Sequence, residues 1–218
     1  MSRENRNFVV VGLGSFGSVV AAELARFGNR VLGVDIDERR VSTLAETLSS
    51  VVILDATDEG ALREAGANQY DMALVSIGND LEASILAAMN LRLIGVETIW
   101  AKAQNRTQHR ILSKIGVDRV ILPEHEMGRH TAQMLNNPAV QDYVALGNGF
   151  NVVNLLIPKR LGGRTIREIQ IGEGVRILGV MRGTEYVCGD DPDYLLKESD
   201  RLLLLGRRPE LTAFGDRL

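Results

Sequence analysis

The stretch that decides the fold is FVVVGLGSFG, residues 8–17, in which a short apolar run leads into the pattern G-x-G-x-x-G. An uninterrupted apolar run of this length is typical of a strand buried on both faces of a parallel sheet. The glycines follow that strand, and apolar side chains recur at helical spacing in residues 19–27. The stretch therefore predicts a strand, a tight turn and a helix, the context in which this motif has meaning.

Further apolar runs continue the same pattern along the chain. They read VLGV at 31–34, VVIL at 51–54, ALV at 73–75, TIWA at 98–101 and RVIL at 119–122. Amphipathic segments separate them, and repeated strand–helix units of this kind predict a parallel sheet with right-handed crossovers. The number and spacing of the strands match a Rossmann-type α/β fold.

The pattern changes after residue 123. Residues 124–136 predict one more helix, which Asn137-Pro138 ends. Beyond it, the sequence predicts strands at 152–157 and 200–205, a hairpin from 176–181 to 185–187, and a short helix at 165–169. We therefore predict a nucleotide-binding lobe over 1–136, a linker over 137–148, and a small α+β lobe over 149–218.

Composition excludes several classes of protein. The chain has 218 residues, of which 45% are apolar, and a net charge of −3, which argues against a nucleic-acid binder with a broad basic surface. A single cysteine excludes a disulfide framework and a cysteine-based zinc site. No apolar run is long enough for a membrane helix, and the polar start is unlike a signal peptide. We expect an intracellular protein.

The glycine motif carries the chemistry of phosphate binding. Gly12 permits a tight turn, Gly14 lets the backbone approach a pyrophosphate, and Gly17 lets the helix pack closely on the sheet. The helix N-terminus then offers free N–H groups and partial positive charge. Asp35 ends the second strand, where its carboxylate can accept hydrogen bonds from ribose hydroxyls. Together these residues predict a nucleotide site.

Neighbouring charges refine that prediction. The carboxylate of Asp35 would repel a 2′-phosphate, so NADP is disfavoured, and we interpret Arg39 and Arg40 as solvent-facing helix residues. Asp55 follows the third strand, where it either lies beside an adenine or caps its own loop. Both interpretations are open from the sequence.

Catalytic chemistry has little support. The chain has three histidines, none of them in the last 70 or so residues, and no H-E-x-x-H, G-x-S-x-G or C-x-x-C motif. We therefore predict a nucleotide sensor that is not an enzyme. The alternatives are a small NAD(H)-dependent dehydrogenase and an NADH redox sensor.

An ordered series of motifs resembles a known family. It comprises GLGSFG at 12–17, VDID at 34–37, DAT at 55–57, SIG at 76–78, WAKAQN at 100–105, KIGVDRVI at 114–121 and PEHEMG at 123–128. The series is similar to the RCK-domain regulatory subunits of bacterial Trk/Ktr potassium-uptake systems, of the KtrA type. The resemblance covers essentially the whole chain.

The resemblance implies a function and an assembly. Family members bind ATP, ADP or NAD(H), exchange a crossover helix between subunits, and form an octameric ring of dimers. The ring docks on the cytoplasmic face of a separate membrane subunit that conducts potassium, which implies a cytoplasmic protein held at the membrane by its partner. Some members bind cyclic di-AMP, but the segment Ile171–Val175 lacks the basic residue and the tyrosine that they carry, so we do not predict that ligand.

The resemblance also implies site residues, with Mg²⁺ or another cation between the nucleotides of neighbouring subunits. Nucleotide binding is carried over to Gly12, Leu13, Gly14, Ser15, Phe16, Gly17, Asp35, Ile36, Asp55, Ala56, Thr57, Ser76, Ile77, Gly78 and Lys102. Glu124 matches an acid that helps bind the cation, or is a first-turn helix acid. Close relatives carry arginine where this chain has Ser15. Discrimination of ATP from ADP is therefore expected to be weaker by about ten- to a hundred-fold, or to rest on Lys102 and a bound cation.

Overall fold

The computed structural model describes residues 6–136, 139–188 and 191–217, with the backbone alone at Cys188. The chain forms two compact units that divide between Glu126 and Met127. Each unit has its own sheet and its own hydrophobic core.

The first unit is the predicted Rossmann-like domain. Its elements are β1 (Asn7–Val11), α1 (Ser15–Arg26), β2 (Arg30–Asp35), α2 (Glu38–Leu44), β3 (Ser50–Ile53), α3 (Glu59–Glu64), β4 (Met72–Val75), α4 (Leu81–Leu93), β5 (Thr98–Lys102), α5 (Arg106–Lys114) and β6 (Arg119–Ile121). All six strands are parallel, in the order β3-β2-β1-β4-β5-β6. The order reverses beside β1, so the crevice outside the carboxyl ends of β1 and β4 is where this fold accepts a ligand.

The helices of this unit begin in two ways. Asp37, Asp58, Asp80 and Asn105 precede α2 to α5, and each side chain accepts a hydrogen bond from a first-turn N–H group. The exception is α1, whose N-cap is Gly14 and which has no side-chain cap. The first turn of α1 therefore keeps N–H groups that a side chain satisfies in the other four helices.

The two faces of the parallel sheet are covered unequally. Val9, Val75 and Ile99 lie on one face and are almost completely buried in a core that α4 and α5 help to form. On the other face, Met72 and Trp100 line an apolar groove of about 260 Å³ and are only partly buried. Part of this second face is thus open within the first unit.

The second unit is built on antiparallel strands. A helix, α6 (Pro123–Asn136), crosses the division, and β7 (Val140–Gly147), β8 (Phe150–Leu156), β9 (Val175–Arg182), β10 (Glu185–Cys188), β11 (Arg201–Arg207) and α7 (Arg208–Gly215) follow. The strand order is β10-β9-β11-β8-β7, with every pairing antiparallel. This is the small α+β lobe that the sequence predicts.

Three details of the second unit differ from the sequence predictions. Within the predicted linker 137–148, residues 140–147 form β7, while 137 and 138 lie outside the described residues. Register shifts interrupt β7 after Val140 and after Ala145, so its sequence lacks a strict period of two. The predicted helix at 165–169 is a turn, joined to residues 192–195 by a bridge from Thr165 to Leu195 and by backbone hydrogen bonds. The terminal helix α7 was not predicted.

An ion pair with a buried carboxylate joins the end of β9 to the residue that precedes β11. The Arg182 guanidinium donates from Nε to Asp200 Oδ1 (2.9 Å) and from Nη2 to Oδ2 (2.7 Å). The Lys197 N–H donates to Oδ2 at 2.8 Å. Burial alone would raise the pKa of the Asp200 carboxyl, but these hydrogen bonds outweigh it, so the pKa lies below its ordinary value. The pair thus favours the charged carboxylate inside the fold.

Across the described parts of the chain, no helix combines the length and the apolar character that crossing a membrane requires.

Candidate functional site

A cleft of about 400 Å³ lies at the carboxyl ends of the parallel strands. Most of the predicted site residues line it: Gly12, Gly14, Ser15, Phe16, Asp35, Ile36, Asp55, Ala56, Ser76, Ile77, Gly78 and Lys102. Leu13, Gly17 and Thr57 do not line the cleft, and each of these three supports a neighbouring residue that does.

The three motif glycines have three different environments. A Cβ on Gly12 would lie 2.9 Å from the Ser76 carbonyl carbon, and the backbone there has φ +87°. A Cβ on Gly17 would lie 1.9 Å from the Gly12 carbonyl oxygen, so the start of α1 packs directly on the turn. A Cβ on Gly14 would meet nothing within 4 Å. Gly12 and Gly17 are therefore required by the protein itself, whereas the space at Gly14 is open to a ligand.

Asp35 connects the end of β2 to the glycine turn. Its side chain is 3% exposed, and Oδ2 accepts from the Leu13 N–H at 2.7 Å while Oδ1 accepts from the Asp37 N–H at 2.9 Å. Leu13 therefore serves the site through its backbone, and its side chain lies in the core. A carboxylate has about four acceptor positions, so Asp35 retains capacity for ribose hydroxyls.

Arg40 is an exposed residue of α2, as the sequence predicts, but it also lines the cleft. Its guanidinium lines the cleft, with Nη1 3.3 Å from Asp35 Oδ2 and Nε 3.6 Å from Asp37 Oδ2. Arg40 lies in the first turn of α2. Helical side chains point back towards the N-terminus of their helix, so that of Arg40 points towards the end of β2. This cation lies beside Asp35 and partly offsets its charge, and the exclusion of NADP stays a prediction. Arg39 is exposed, as expected.

Lys102 ends β5 inside the cleft. Its side chain is 9% exposed, and Nζ lies 2.5 Å from Glu124 Oε1 at the start of α6. The same Nζ lies 5.7 Å from the centre of the Phe16 ring. The hydrogen bond from Lys102 lowers the pKa of Glu124 below its ordinary value, against a smaller opposing effect of burial. The cleft thus holds a cation at the position predicted for phosphate contact.

The residues beside Glu124 do not form a metal site. No group of three or more His, Cys, Asp or Glu side chains able to hold a metal occurs within residues 6–136, 139–188 and 191–217. The one carboxylate predicted as a ligand faces an ammonium group, which opposes a second cation. The residues of a single chain therefore do not fit the predicted cation, and its binding by Glu124 stays a prediction.

The loop after β3 is stabilised by hydrogen bonds within the loop and by hydrogen bonds from a residue of α4. Asp55 Oδ1 accepts from the Thr57 N–H (2.9 Å) and the Thr57 hydroxyl (2.8 Å), and these bonds lower the pKa of the Asp55 carboxyl. Asn90, buried in α4, donates to the carbonyl oxygens of Ala56 (3.2 Å) and Thr57 (2.8 Å). Both interpretations of Asp55 are thus compatible with its position, since it caps the loop and lines the cleft.

Sequence reasoning missed several residues of the site. Cleft-lining residues outside the prediction are Val11, Val34, Arg40, Leu54, Asn79, Asp80 and Ala83. Asn90 is also missing from it, although a polar residue between Met89 and Leu91 in an apolar helix was a usable signal. Asn79 follows SIG in the same loop, where Gln104 Nε2 donates to its Oδ1 at 2.5 Å.

The first unit belongs to the Rossmann-type α/β class with a crevice at the strand-order reversal, and the second is a small antiparallel lobe. Comparison with known proteins identifies the family. The TrkA-N domain family matches residues 8–123, and the TrkA-C domain family matches residues 153–218. The chain belongs to the RCK-type regulatory subunits of Trk/Ktr potassium-uptake systems.

Two relatives match nearly from end to end. The Ktr system potassium uptake protein A of Vibrio alginolyticus is 36% identical over 97% of this chain and 97% of its own length. The Ktr system potassium uptake protein C of Bacillus subtilis (strain 168) is 34% identical over 98% of this chain and 97% of its own length. Their names are those of uptake proteins, and the chain is accordingly a regulatory protein and not a dehydrogenase.

A solved structure supports the fold. The GsuK channel bound to NAD superposes with a TM-score of 0.64 at 16% identity, over 98% of this chain and 39% of that chain. This confirms the predicted combination of a Rossmann-like sheet with a small C-terminal lobe.

Proposed function

We propose that this protein is a nucleotide-sensing subunit that binds ATP and ADP, or NAD(H), in the cleft and thereby gates potassium uptake through a membrane partner. The observation that carries the proposal is the convergence of three features in one cleft. These are the uncapped N-terminus of α1 behind Gly14, the buried carboxylate of Asp35 and the cation of Lys102. The helix N-terminus and Lys102 match the phosphates of a nucleotide, and Asp35 matches its ribose.

The proposed binding mode follows from their positions. Phosphates lie over Gly14, where the added-Cβ space is empty, and accept from the first-turn N–H groups of α1. The ribose hydroxyls donate to Asp35, and Lys102 pairs with the phosphates in place of Glu124. The loop 55–57 lies on the adenine side. A neighbour of the same fold, the GsuK channel, has been solved bound to NAD, which supports a nucleotide without selecting among the three.

The proposed assembly is a ring of dimers on the cytoplasmic face of the membrane. The open face of the parallel sheet at Met72 and Trp100 supports it, because an apolar groove of this kind favours coverage by another subunit. Moving an equilibrium from 1:99 to 99:1 requires a ligand that prefers one state by about 10⁴-fold, or roughly 5.5 kcal/mol. Several sites in one ring supply that preference together.

The first experiment is calorimetry with ATP, ADP and NADH, with and without magnesium, alongside particle mass by light scattering. We expect nucleotide binding to a species near eight subunits. Lys102→Met should weaken binding of the physiological nucleotide by about ten- to a hundred-fold, the range for a charged hydrogen bond. Lys114→Met, at an exposed position on α5, is the matched control and should bind normally.

Gating is tested separately. The protein is co-reconstituted in liposomes with a Ktr-type membrane subunit, and potassium uptake is measured at fixed ATP and ADP. If calorimetry shows nucleotide binding but the rate of potassium uptake is the same with ATP, with ADP and without nucleotide, gating alone would be refuted. Absence of binding by all three nucleotides, in a protein shown to be folded, would refute the whole proposal.

A further inference from the structure

The second unit contains a cavity that the proposed nucleotide site does not use. Its volume is about 350 Å³, at the lower end of the range of about 300–1,000 Å³ for small-molecule sites. The second half of α6 forms one side, and β7, β8, β11 and α7 form the rest. All of the lining residues belong to the second unit.

The floor of the cavity is apolar. Val153, Leu155, Leu204 and Leu211 line it, and all four belong to the buried core of this unit. Side chains of this kind accept an aliphatic or aromatic group and gain by removing it from water.

The charged residues that line the cavity are both cations. They are Arg129 on α6 and Arg208 at the start of α7, and no acid among the residues that the structure describes lines the cavity beside them. Neither guanidinium has an ion pair or hydrogen bond within the described chain. Asp142, an acid on β7, pairs with neither arginine, and its Oδ1 lies 3.6 Å from His130 Nε2. Two unpaired guanidinium groups on one cavity favour an anion.

The remaining polar groups are partly engaged. The Tyr143 hydroxyl donates to Asn151, so it is not free to bind a ligand. Gln133 lines the cavity, and no described residue donates to its buried Oε1.

We propose that this cavity binds a small organic anion. Its carboxylate, phosphate or sulfonate group pairs with Arg129 and Arg208, and its apolar body covers the floor of the cavity. An inorganic anion would leave the floor exposed, and a neutral apolar molecule would leave both guanidinium groups unused. A ligand in this position contacts both α6 and the antiparallel sheet.

The test uses decanoate as the probe, because it combines one carboxylate with an unbranched apolar chain. Calorimetry on the full chain should show one decanoate per subunit, with sulfate and decylamine at least about ten-fold weaker. Equal affinity for decylamine, or no binding of decanoate at millimolar concentration, would overturn the proposal.

Substitutions locate the binding site. Arg129→Gln and Arg208→Gln should each weaken decanoate binding by about ten- to a hundred-fold. Arg160→Gln, an exposed arginine of the same unit outside the cavity, is the matched control. Ala132→Trp, on the exposed side of α6, should fill the cavity and abolish binding even if Arg208→Gln does not fold.

One further variant separates this site from the proposed nucleotide site. Asp35→Asn alters the cleft of the first unit and should leave decanoate affinity unchanged. Loss of decanoate binding in a folded Asp35→Asn protein would place the anion in the cleft and refute the second site. Failure of nucleotides to bind has no bearing on this result.

Discussion

Asp35 in the first unit and Asp200 in the second are both buried carboxylates with three donors each. Asp200 accepts two hydrogen bonds from one guanidinium and a third from a backbone N–H. Asp35 accepts two from backbone N–H groups, and its third donor is the half-exposed Arg40 at 3.3 Å. Asp35 also lines a cleft of about 400 Å³.

The difference lies in which donor a ligand can replace. Arg182 holds Asp200 in a bidentate pair next to the paired ends of β9 and β11, and its two hydrogen bonds would both be lost if a ligand displaced it. Arg40 holds Asp35 through one longer contact from a side chain with freedom to move. Burial of a carboxylate is therefore a poor guide to function, and a replaceable donor beside open space is a better one.

The largest expected effect is the loss of stability when Asp200, the carboxylate paired with Arg182, is replaced. Asp200→Asn turns one carboxylate acceptor into a donor that faces Arg182 or the Lys197 N–H. It should destabilise the second unit by about 3 kcal/mol, the upper end of the range for hydrogen bonds to charged groups. Hydrogen exchange read by mass spectrometry should show lost protection in β9 and β11 and little change in β1 to β6.

The matched control is Asp193→Asn, which removes an exposed pair with Arg167. It should cost about 0–1 kcal/mol. An equal loss of unfolding free energy in the two variants would show that burial of Asp200 does not strengthen its pairing with Arg182.

The next effect concerns the glycine turn. Gly17→Ala forces a Cβ to 1.9 Å from the Gly12 oxygen and should destabilise the first unit by about 3 kcal/mol, the upper part of the usual overpacking range. Gly14→Ala has free space, so it should fold normally and lose nucleotide affinity. Thermal unfolding and calorimetry separate the two, and a Gly17→Ala protein of normal stability would contradict this packing.

Asp35→Asn should weaken nucleotide binding by about a hundred-fold. The substitution removes the charge that favours ribose hydroxyls and turns one acceptor into a donor facing the Leu13 or Asp37 N–H. Calorimetry measures the loss, and Glu38→Gln on the exposed start of α2 is the control. An affinity equal to that of the control would remove Asp35 from the site.

Ser15→Arg should raise the preference for ATP over ADP by at least about ten-fold, as one charged hydrogen bond to the terminal phosphate would. Affinities for both nucleotides are measured on both proteins. An unchanged ratio would show that residue 15 does not reach the terminal phosphate.

The smallest effect is the pH dependence of the second unit. The folded-state pKa of Asp200 is lowered, so its contribution is complete above the unfolded value of about 3.9 and is lost as the pH falls from there towards the folded pKa. Urea unfolding at pH 3 and pH 5 should show this loss in the original protein. Asp200→Asn should lack that part of the dependence.

Much of the first unit was predictable because its signals are local in sequence. Buried parallel strands give continuous apolar runs, and the glycine turn must occupy adjacent positions. Lys102 was placed correctly because a residue that ends a parallel strand lies beside the crevice. Its contact with Glu124 depends on where α6 begins relative to β5, which no local pattern encodes.

The missed features depend on contacts between distant positions. Arg40 and Asn90 reach the site from helices, and the role of each residue depends on the direction in which its own side chain points. In the second unit, β7 is defined by pairing with β8 despite two register shifts. The segment 165–169 has a helix-like composition, yet its bridge to Leu195 keeps it in a turn.

The open face of the parallel sheet gives the protein an internal optical reporter. The chain contains one tryptophan, Trp100, and it lies in the apolar groove with the Arg119 guanidinium 4.5 Å from its ring. Its emission spectrum therefore responds to whatever covers that face, without any added dye. If the proposed assembly covers this face, it should give a blue shift of the Trp100 emission, and the second unit, which lacks tryptophan, contributes no tryptophan signal.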